Sequence, residues 1–300
     1  MMPECRISLP RDFRCQDFLA FHGRDKEGVA ETVDAGLIRK GMMQAGRPAC
    51  LSLRFAAGEA TVRLDVDDGA EGGSVPVAAV ETLARRMLGL DQAVERFETA
   101  LGGHPQVGRM ITQNPGLRLP VTATPFEALV WAVTGQQISV AAALSVRRRF
   151  LRLVDIRHSG GLLCHPDAAT VACLNEESLR GAGFSRTKAA TVLEIARRAE
   201  DGRLPLDGWL SARSLEQVGE ELRKTPGVGP WTVSYALLRG YGWLDGSLHG
   251  DVAVRRGLQN LLRQDDKVTE KQAQSWLGQF QPWRALVGAH LWAWKADLAY

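Results

Sequence analysis

The sequence predicts a mainly α-helical protein with an N-terminal α+β domain, and three observations carry that reading. Between Leu37 and Val66, short segments separated by Gly or Pro alternate in polarity, most clearly in Ala60-Thr-Val-Arg-Leu-Asp-Val66. A period of two marks a half-buried strand. Beyond Asp91 that signal fades and apolar residues recur at helical spacing. The third is Leu222-Arg-Lys-Thr-Pro-Gly-Val-Gly-Pro-Trp231, where two helical patterns meet at a Pro-Gly-Val-Gly turn.

In residues 1–90, the segments Leu37 to Met43, Ala49 to Ala56 and Ala60 to Val66 are expected to pair as a small antiparallel sheet. Helices at Phe13 to His22 and Val77 to Leu88 back it. Residues 91–120 begin the helical part and contain the linker Asn114-Pro-Gly-Leu-Arg-Leu-Pro120. In residues 121–240, Thr124-Pro125-Phe126-Glu127 opens a helix with a capping box and a first-turn proline. That helix breaks at Gln136-Gln137-Ile138-Ser139, and Arg147-Arg148-Arg149 on the next helix reads as a solvated face. Asn175 and Ser185 are expected caps, with Ala189, Val192, Leu193 and Ala196 turned inward. The helix-turn-helix proper spans about 214–238: Ser214 caps a helix with Leu215, Val218 and Leu222 on one face, and Pro226-Gly227 stops it. Pro230 starts the next. Residues 241–300 carry Asp251, the N-cap of a helix over Val252 to Leu262, and are expected to pack with residues 91–120.

Bulk properties narrow the class without naming a function. The 300 residues, 45% apolar and 24% charged, have room for two or three cores. A net charge of +3 permits a polyanionic partner and does not demand one. Cys5, Cys15, Cys50, Cys164 and Cys173 are odd in number and hold no C-x-x-C pair, which argues against a disulfide framework or a zinc site. There is no signal-peptide core, and the longest apolar stretch, Phe126 to Leu144, is interrupted by Gly135-Gln136-Gln137. A cytoplasmic protein with no membrane partner is expected.

The Gly227-Val228-Gly229 turn allows positive φ and close approach of a ligand, and amides at the following helix start suit phosphate. Backbone amides read charge and not base identity, so such a turn holds DNA without sequence preference. A flexible helix connection explains the turn taken alone equally well. Taken together, the hairpin, Trp231 and the distant Gly250-Asp251 resemble the helix-hairpin-helix DNA glycosylase superfamily, and most closely its alkylation-repair branch, the bacterial 3-methyladenine DNA glycosylase II enzymes. The resemblance extends to Asp17-Phe18-Leu19-Ala20-Phe21, to Gly135-Gln-Gln-Ile-Ser139 and to Trp283-Arg284 through Trp292.

That resemblance implies two helical lobes around a cleft, Asp251 as the catalytic carboxylate, and a base pocket of Trp231, Tyr235, Trp292 and Phe21. It places Gln136 and Gln137 in a loop that enters the minor groove and fills the gap of an extruded nucleotide, and Gly227, Val228 and Gly229 on the DNA backbone. It implies a monovalent cation on the backbone carbonyls of Arg223, Thr225 and Val228, no required cofactor, and double-stranded DNA with a damaged base as partner of a monomer. No cysteine follows Cys173, where some relatives ligate an iron–sulfur cluster. Lyase-active relatives place a Schiff-base lysine where this chain has Trp231, so hydrolysis without strand nicking is expected. Val252 departs from relatives that have an aromatic residue beside the aspartate. Two other readings stay open: a non-catalytic sensor of DNA damage, and a glycosylase for oxidised or deaminated bases, whose leaving group needs help that no residue here visibly supplies.

Overall fold

The computed structural model describes residues 3–67, 75–212 and 214–294. Strands β1 (Glu4–Ser8), β2 (Glu31–Asp34), β3 (Leu37–Gln44), β4 (Arg47–Ala56) and β5 (Glu59–Val66) form one antiparallel sheet in the order β1-β5-β4-β3-β2. Alternation in β5 turns Ala60, Val62 and Leu64 into the core, against Ile38, Leu51 and Leu53 of the neighbouring strands. Helices α1 (Cys15–His22) and α2 (Val77–Met87) close that core with Phe18, Val80, Ala84 and Met87. The edge strands β1 and β2 lie outside the three predicted segments. Each is short and charged, which blunts an edge against further pairing and hides it from a search for apolar alternation.

The rest of the described chain is helical: α3 (Val94–Leu101), α4 (Val107–Gln113), α5 (Pro125–Gly135), α6 (Val140–Val154), α7 (Ala168–Ala172), α8 (Glu176–Gly181), α9 (Arg186–Glu200), α10 (Trp209–Ala212), α11 (Leu215–Arg223), α12 (Pro230–Tyr241), α13 (Val252–Leu262), α14 (Glu270–Gly278) and α15 (Arg284–Ala293). They divide between two further cores. One gathers α5, α6, α9 and α11, with Ala189, Val192, Leu193 and Ala196 buried as their spacing requires. The other joins α3 and α4 to α13, α14 and α15. Helix α12 belongs to both, because Val233, Ala236 and Leu237 face the first core while Tyr235 and Leu238 face the second. Its start therefore lies where the two helical lobes meet.

Most predicted caps form. Thr124, Asn175, Ser185, Ser214 and Asp251 each accept a first-turn backbone N–H, and Ser139, which was not expected as a cap, does the same for α6. The capping box at Thr124 is half made. Thr124 Oγ1 accepts from Glu127 N at 3.1 Å, but the Glu127 carboxylate turns to Lys40 Nζ at 2.6 Å and to Ala123 N at 3.3 Å. Nor is Arg147-Arg148-Arg149 a solvated face throughout, since only Arg149 is exposed. Arg147 is buried between Glu31 and Glu127, Arg148 pairs with Glu27, and Arg149 donates to the Ala182 carbonyl at 2.9 Å. The sheet domain docks against α6, and that docking turns Arg147 and Arg148 from water to partners, while Arg149 stays exposed.

Candidate active site

Asp251 begins α13 with a β-region backbone, and its Oδ1 accepts from Ala253 N at 2.8 Å and Val254 N at 3.0 Å. The N-cap role explains the residue locally. It does not explain the two indoles that reach the same carboxylate: Trp292 Nε1 donates to Oδ1 at 3.1 Å and Trp231 Nε1 donates to Oδ2 at 2.9 Å. With three donors Oδ1 is saturated, whereas Oδ2 has one donor and keeps lone-pair capacity for a substrate. Four donors from three helices hold a half-buried negative charge in one orientation.

Trp231 and Tyr235 stand one turn apart on α12, so helical geometry places both rings on the same face, 5.2 Å between centroids. The Trp292 ring lies 6.3 Å from Tyr235. These rings and Asp251 share a cleft of about 900 Å³ with the Gln136-to-Val140 loop, Gly227, Gly229 and the start of α13. That volume admits an extruded nucleotide.

The hairpin and the loop facing it are tied together. Gln136 Nε2 donates to the Gly227 carbonyl at 3.1 Å and to Thr232 Oγ1 at 2.9 Å, which makes Gln136 a strut. Gln137 next to it is exposed in the left-handed region at φ 57°, with Ile138 39% exposed beside it. These two side chains form the free tip. Gly227 also needs its missing side chain: its φ is 83°, and a Cβ would lie 1.9 Å from Thr191 Oγ1. Gly229 has open space around it, and α12 starts there without a side-chain cap, which leaves first-turn amides to the cleft. Val228 is turned away: it is buried, and its N–H donates to the Thr225 carbonyl at 3.1 Å.

Residues 130–281, which hold the loop, the hairpin and Asp251, match the profile of the HhH-GPD superfamily of base excision DNA repair proteins. The chain belongs to this superfamily. Residues 5–124 match the AlkA N-terminal domain. The DNA-3-methyladenine glycosylase 2 of Escherichia coli is 29% identical over 198 residues, 64% of this chain and 67% of that protein. A probable bifunctional transcriptional activator/DNA repair enzyme AlkA of Mycobacterium tuberculosis is 30% identical over 218 residues, 69% of this chain and 41% of its own length. Among solved structures, the 3-methyladenine DNA-glycosylase from Archaeoglobus fulgidus superposes with a TM-score of 0.79 over 96% of this chain and 97% of its own, at 20% identity, a likeness of fold. The 3-methyladenine DNA glycosylase of Schizosaccharomyces pombe, solved with abasic DNA, gives 0.56 over 66% of this chain and 95% of its own, at 25% identity.

Within this HhH-GPD cleft the structure adds Trp131 and Arg24, which the sequence reading did not find, and places Val252, which it did. Trp131 of α5 lines it and donates to Tyr235 Oη at 2.9 Å, which fixes the tilt of the tyrosine ring. Val252 is 53% exposed at the cleft, which Ile138 also lines. Arg24 reaches in from the sheet domain, its guanidinium 3.9 Å from the Phe21 ring centroid and 4.4 Å from that of Trp131. Phe21 itself lies one layer behind, buried beneath Arg24 and also 4.7 Å from the Arg239 guanidinium. No spacing rule joins residue 24 to residue 131 or 251; only an aromatic at helical register with a following arginine hinted at a stacked pair.

A buried charge cluster supports this corner. On β3 the inward positions are Ile38, Lys40 and Met42, so strand alternation forces Lys40 into the interior. Its ammonium lies 2.5 Å from Glu31 and 2.6 Å from Glu127. Burial raises the Glu127 carboxyl, but Lys40 and its neighbours outweigh that and hold it at about 2. Burial pushes the His165 imidazole down to about 4, against the pull of Glu127.

Proposed function

We infer that the chain is a monofunctional DNA glycosylase that hydrolyses the N-glycosidic bond of alkylated bases, 3-methyladenine and similar, in duplex DNA. The observation that carries this is Asp251: a carboxylate held by two indole and two backbone N–H groups in a cleft walled by Trp231, Tyr235 and Trp292. DNA-3-methyladenine glycosylase is also what the E. coli relative is called. A duplex hides the bond, so the base is flipped out, with Gln137 and Ile138 at the tip that fills the gap and the Gly229 turn on phosphate. Stacking on the aromatic wall favours an electron-poor base.

Cleavage builds positive charge at C1′, and Asp251 Oδ2 stabilises that centre more than the ground state and orients the attacking water. Glycosidases with two carboxyls spend one on protonating the leaving group. An N-alkylated purine is already cationic and departs neutral, so one carboxylate suffices. Among the described residues no lysine lines the cleft, and Trp231 fills the Schiff-base position; the product is an abasic site without a nick.

No cofactor is required. A monovalent cation at the hairpin would use the Arg223, Thr225 and Val228 carbonyls. Among the described residues the Thr225 hydroxyl is buried without a partner and its carbonyl accepts a single backbone N–H, from Val228, so an acceptor remains for such an ion. The protein is expected to act as a monomer.

The test is release of free bases from methylated duplex DNA, with strand breaks scored before and after alkali. Free 3-methyladenine with breaks only after alkali is the expected result. Breaks before alkali would refute the monofunctional reading, and absence of release from any alkylated duplex would sink the substrate class.

A further inference from the structure

One charged pair at the rim of the cleft takes no part in the proposed hydrolysis. Ser247, His249 and Glu270 line the cleft that holds Asp251, and His249 stands two residues before the aspartate. Ser247 Oγ lies 2.8 Å from His249 Nδ1, and Glu270 Oε1 lies 3.6 Å from His249 Nε2. Glu270 follows the Thr269 cap of α14 and reaches the chain between histidine and aspartate: a Cβ on Gly250 would sit 3.5 Å from Glu270 Oε1 and 3.8 Å from the Trp231 Cβ. The imidazole is mostly covered, whereas Glu270 is exposed.

A serine hydroxyl donates to or accepts from an imidazole nitrogen, so Nδ1 keeps its partner whether the ring is neutral or protonated. Nε2 is then an N–H donor in both states. At 3.6 Å from Glu270 it is outside hydrogen-bond range, so the donor is aimed without being consumed. The charged groups that act on the ring are Glu270 and, from α15, Arg284, which Asp245 already holds at 2.8 Å; Asp251 and Arg256 line the same cleft. Burial lowers the imidazole from its ordinary value, against the pull of Glu270 and together with Arg284, so the ring is mostly neutral at pH 7 and takes a proton when an anion approaches. An exposed carboxylate at the rim repels a polyanion unless it moves aside. For a nucleotide whose C1′ meets Asp251, the flanking phosphates lie one sugar away, within reach of a side chain two residues from the aspartate.

We propose that His249 binds a backbone phosphate of the lesion-bearing strand, beside the flipped nucleotide, and that Glu270 holds the ring ready until that phosphate displaces it. This rests on the glycosylase reading above. The exchange replaces a loose, solvent-screened pair with a charge-assisted N–H···O⁻ hydrogen bond, and Glu270 turns to solvent, which it already faces. The phosphate raises the proton affinity of the imidazole, so binding takes up a proton and affinity grows as pH falls through and below the ordinary histidine value of about 6.5. Backbone amides carry no such dependence, which separates His249 from the phosphate contact at the Gly229 turn.

Wild type, His249→Gln and Glu270→Gln are titrated with a duplex containing an abasic-site analogue, by fluorescence anisotropy between pH 8 and pH 5.5 at several salt concentrations. Melting temperatures and base release from methylated duplex are measured on the same preparations. Wild-type affinity is expected to rise about 10-fold from pH 8 to pH 5.5, the gain of one charge-assisted contact. His249→Gln, which keeps a neutral donor, should remove most of that rise and reduce the salt slope at pH 5.5 by about 1. Glu270→Gln should bind more tightly than wild type at pH 5.5, because the phosphate no longer competes with a carboxylate. A pH dependence in His249→Gln equal to that of wild type overturns the proposal. An equal loss at every pH with an unchanged salt slope overturns it too and makes His249 a packing residue of the turn. Base release by a wild type whose affinity is flat in pH removes the proposal and leaves the glycosylase reading; pH-linked binding through His249 without base release keeps the phosphate site and removes that reading.

Discussion

Asp251→Asn separates the two roles of the carboxylate. The amide keeps an oxygen that accepts from Ala253 N, Val254 N and Trp292 Nε1 as Oδ1 does, and asparagine is as good an N-cap as aspartate. Its amino group then faces the Trp231 indole N–H across the 2.9 Å now spanned by a hydrogen bond. Two donors in that position cost about 1 kcal/mol of stability, so the variant folds. What disappears is the charge. A carboxylate about 4 Å from a developing C1′ cation contributes about 4 kcal/mol at an effective dielectric near 20. That corresponds to a fall of about 10³-fold in the rate of base release. Binding of a duplex containing an abasic-site analogue, measured by fluorescence anisotropy, should change less than about threefold, because the hairpin amides and the Gln137 tip are untouched. Release by Asp251→Asn at more than about a tenth of the wild-type rate would refute the assignment of the charge to catalysis.

The neighbouring glutamines should behave differently. Gln136→Ala removes two hydrogen bonds to the hairpin and lowers stability by about 1–2 kcal/mol in urea unfolding. Gln137→Ala leaves the urea midpoint unchanged and slows base extrusion, read by 2-aminopurine fluorescence beside the lesion; the reverse pattern would exchange strut and wedge. Lys40→Met strands Glu31 and Glu127 in the interior and should cost about 3–5 kcal/mol, with Glu127→Gln in the same chain restoring part. Stability should also fall in acid. His165 has a folded value of about 4 against 6.5 unfolded, and Glu127 about 2 against 4.5. Both are depressed by folding, so their contribution is complete above pH about 6.5 and is lost as pH falls, first through the histidine window and then through the carboxylate one. A urea midpoint that stays flat from pH 7 to 4.5 would contradict this.

Much of the molecule was legible in its residues because the responsible interactions are local. Caps at Asn175, Ser185 and Ser214 bond amides three residues on, and the inward face of α9 repeats every turn. Pro-Gly-Val-Gly stops one helix and starts the next, and Asp251 carries its own helix start. Short-range geometry of this kind is written in spacing, so the helix–turn–helix and the aspartate's place as a helix N-cap could be read directly, whereas the cleft roles of Trp231, Tyr235 and Asp251 came from the resemblance to the glycosylase superfamily. Glu127 shows where that reading ends. Its spacing from Thr124 satisfies a capping box, yet a lysine 87 residues away draws its carboxylate off, because a buried ammonium must be paired. Arg147 follows the same logic, and so does Gln136, whose side chain is held by a carbonyl 91 residues on. Arg24 and Trp131 are the strongest case: they come from different domains and meet at the pocket only after the sheet docks on the helices. Periodicity determined which faces are buried and where helices begin; only the tertiary structure decided which charges share the interior and which one is left to face the cleft, since long-range pairing leaves no trace in spacing along the chain.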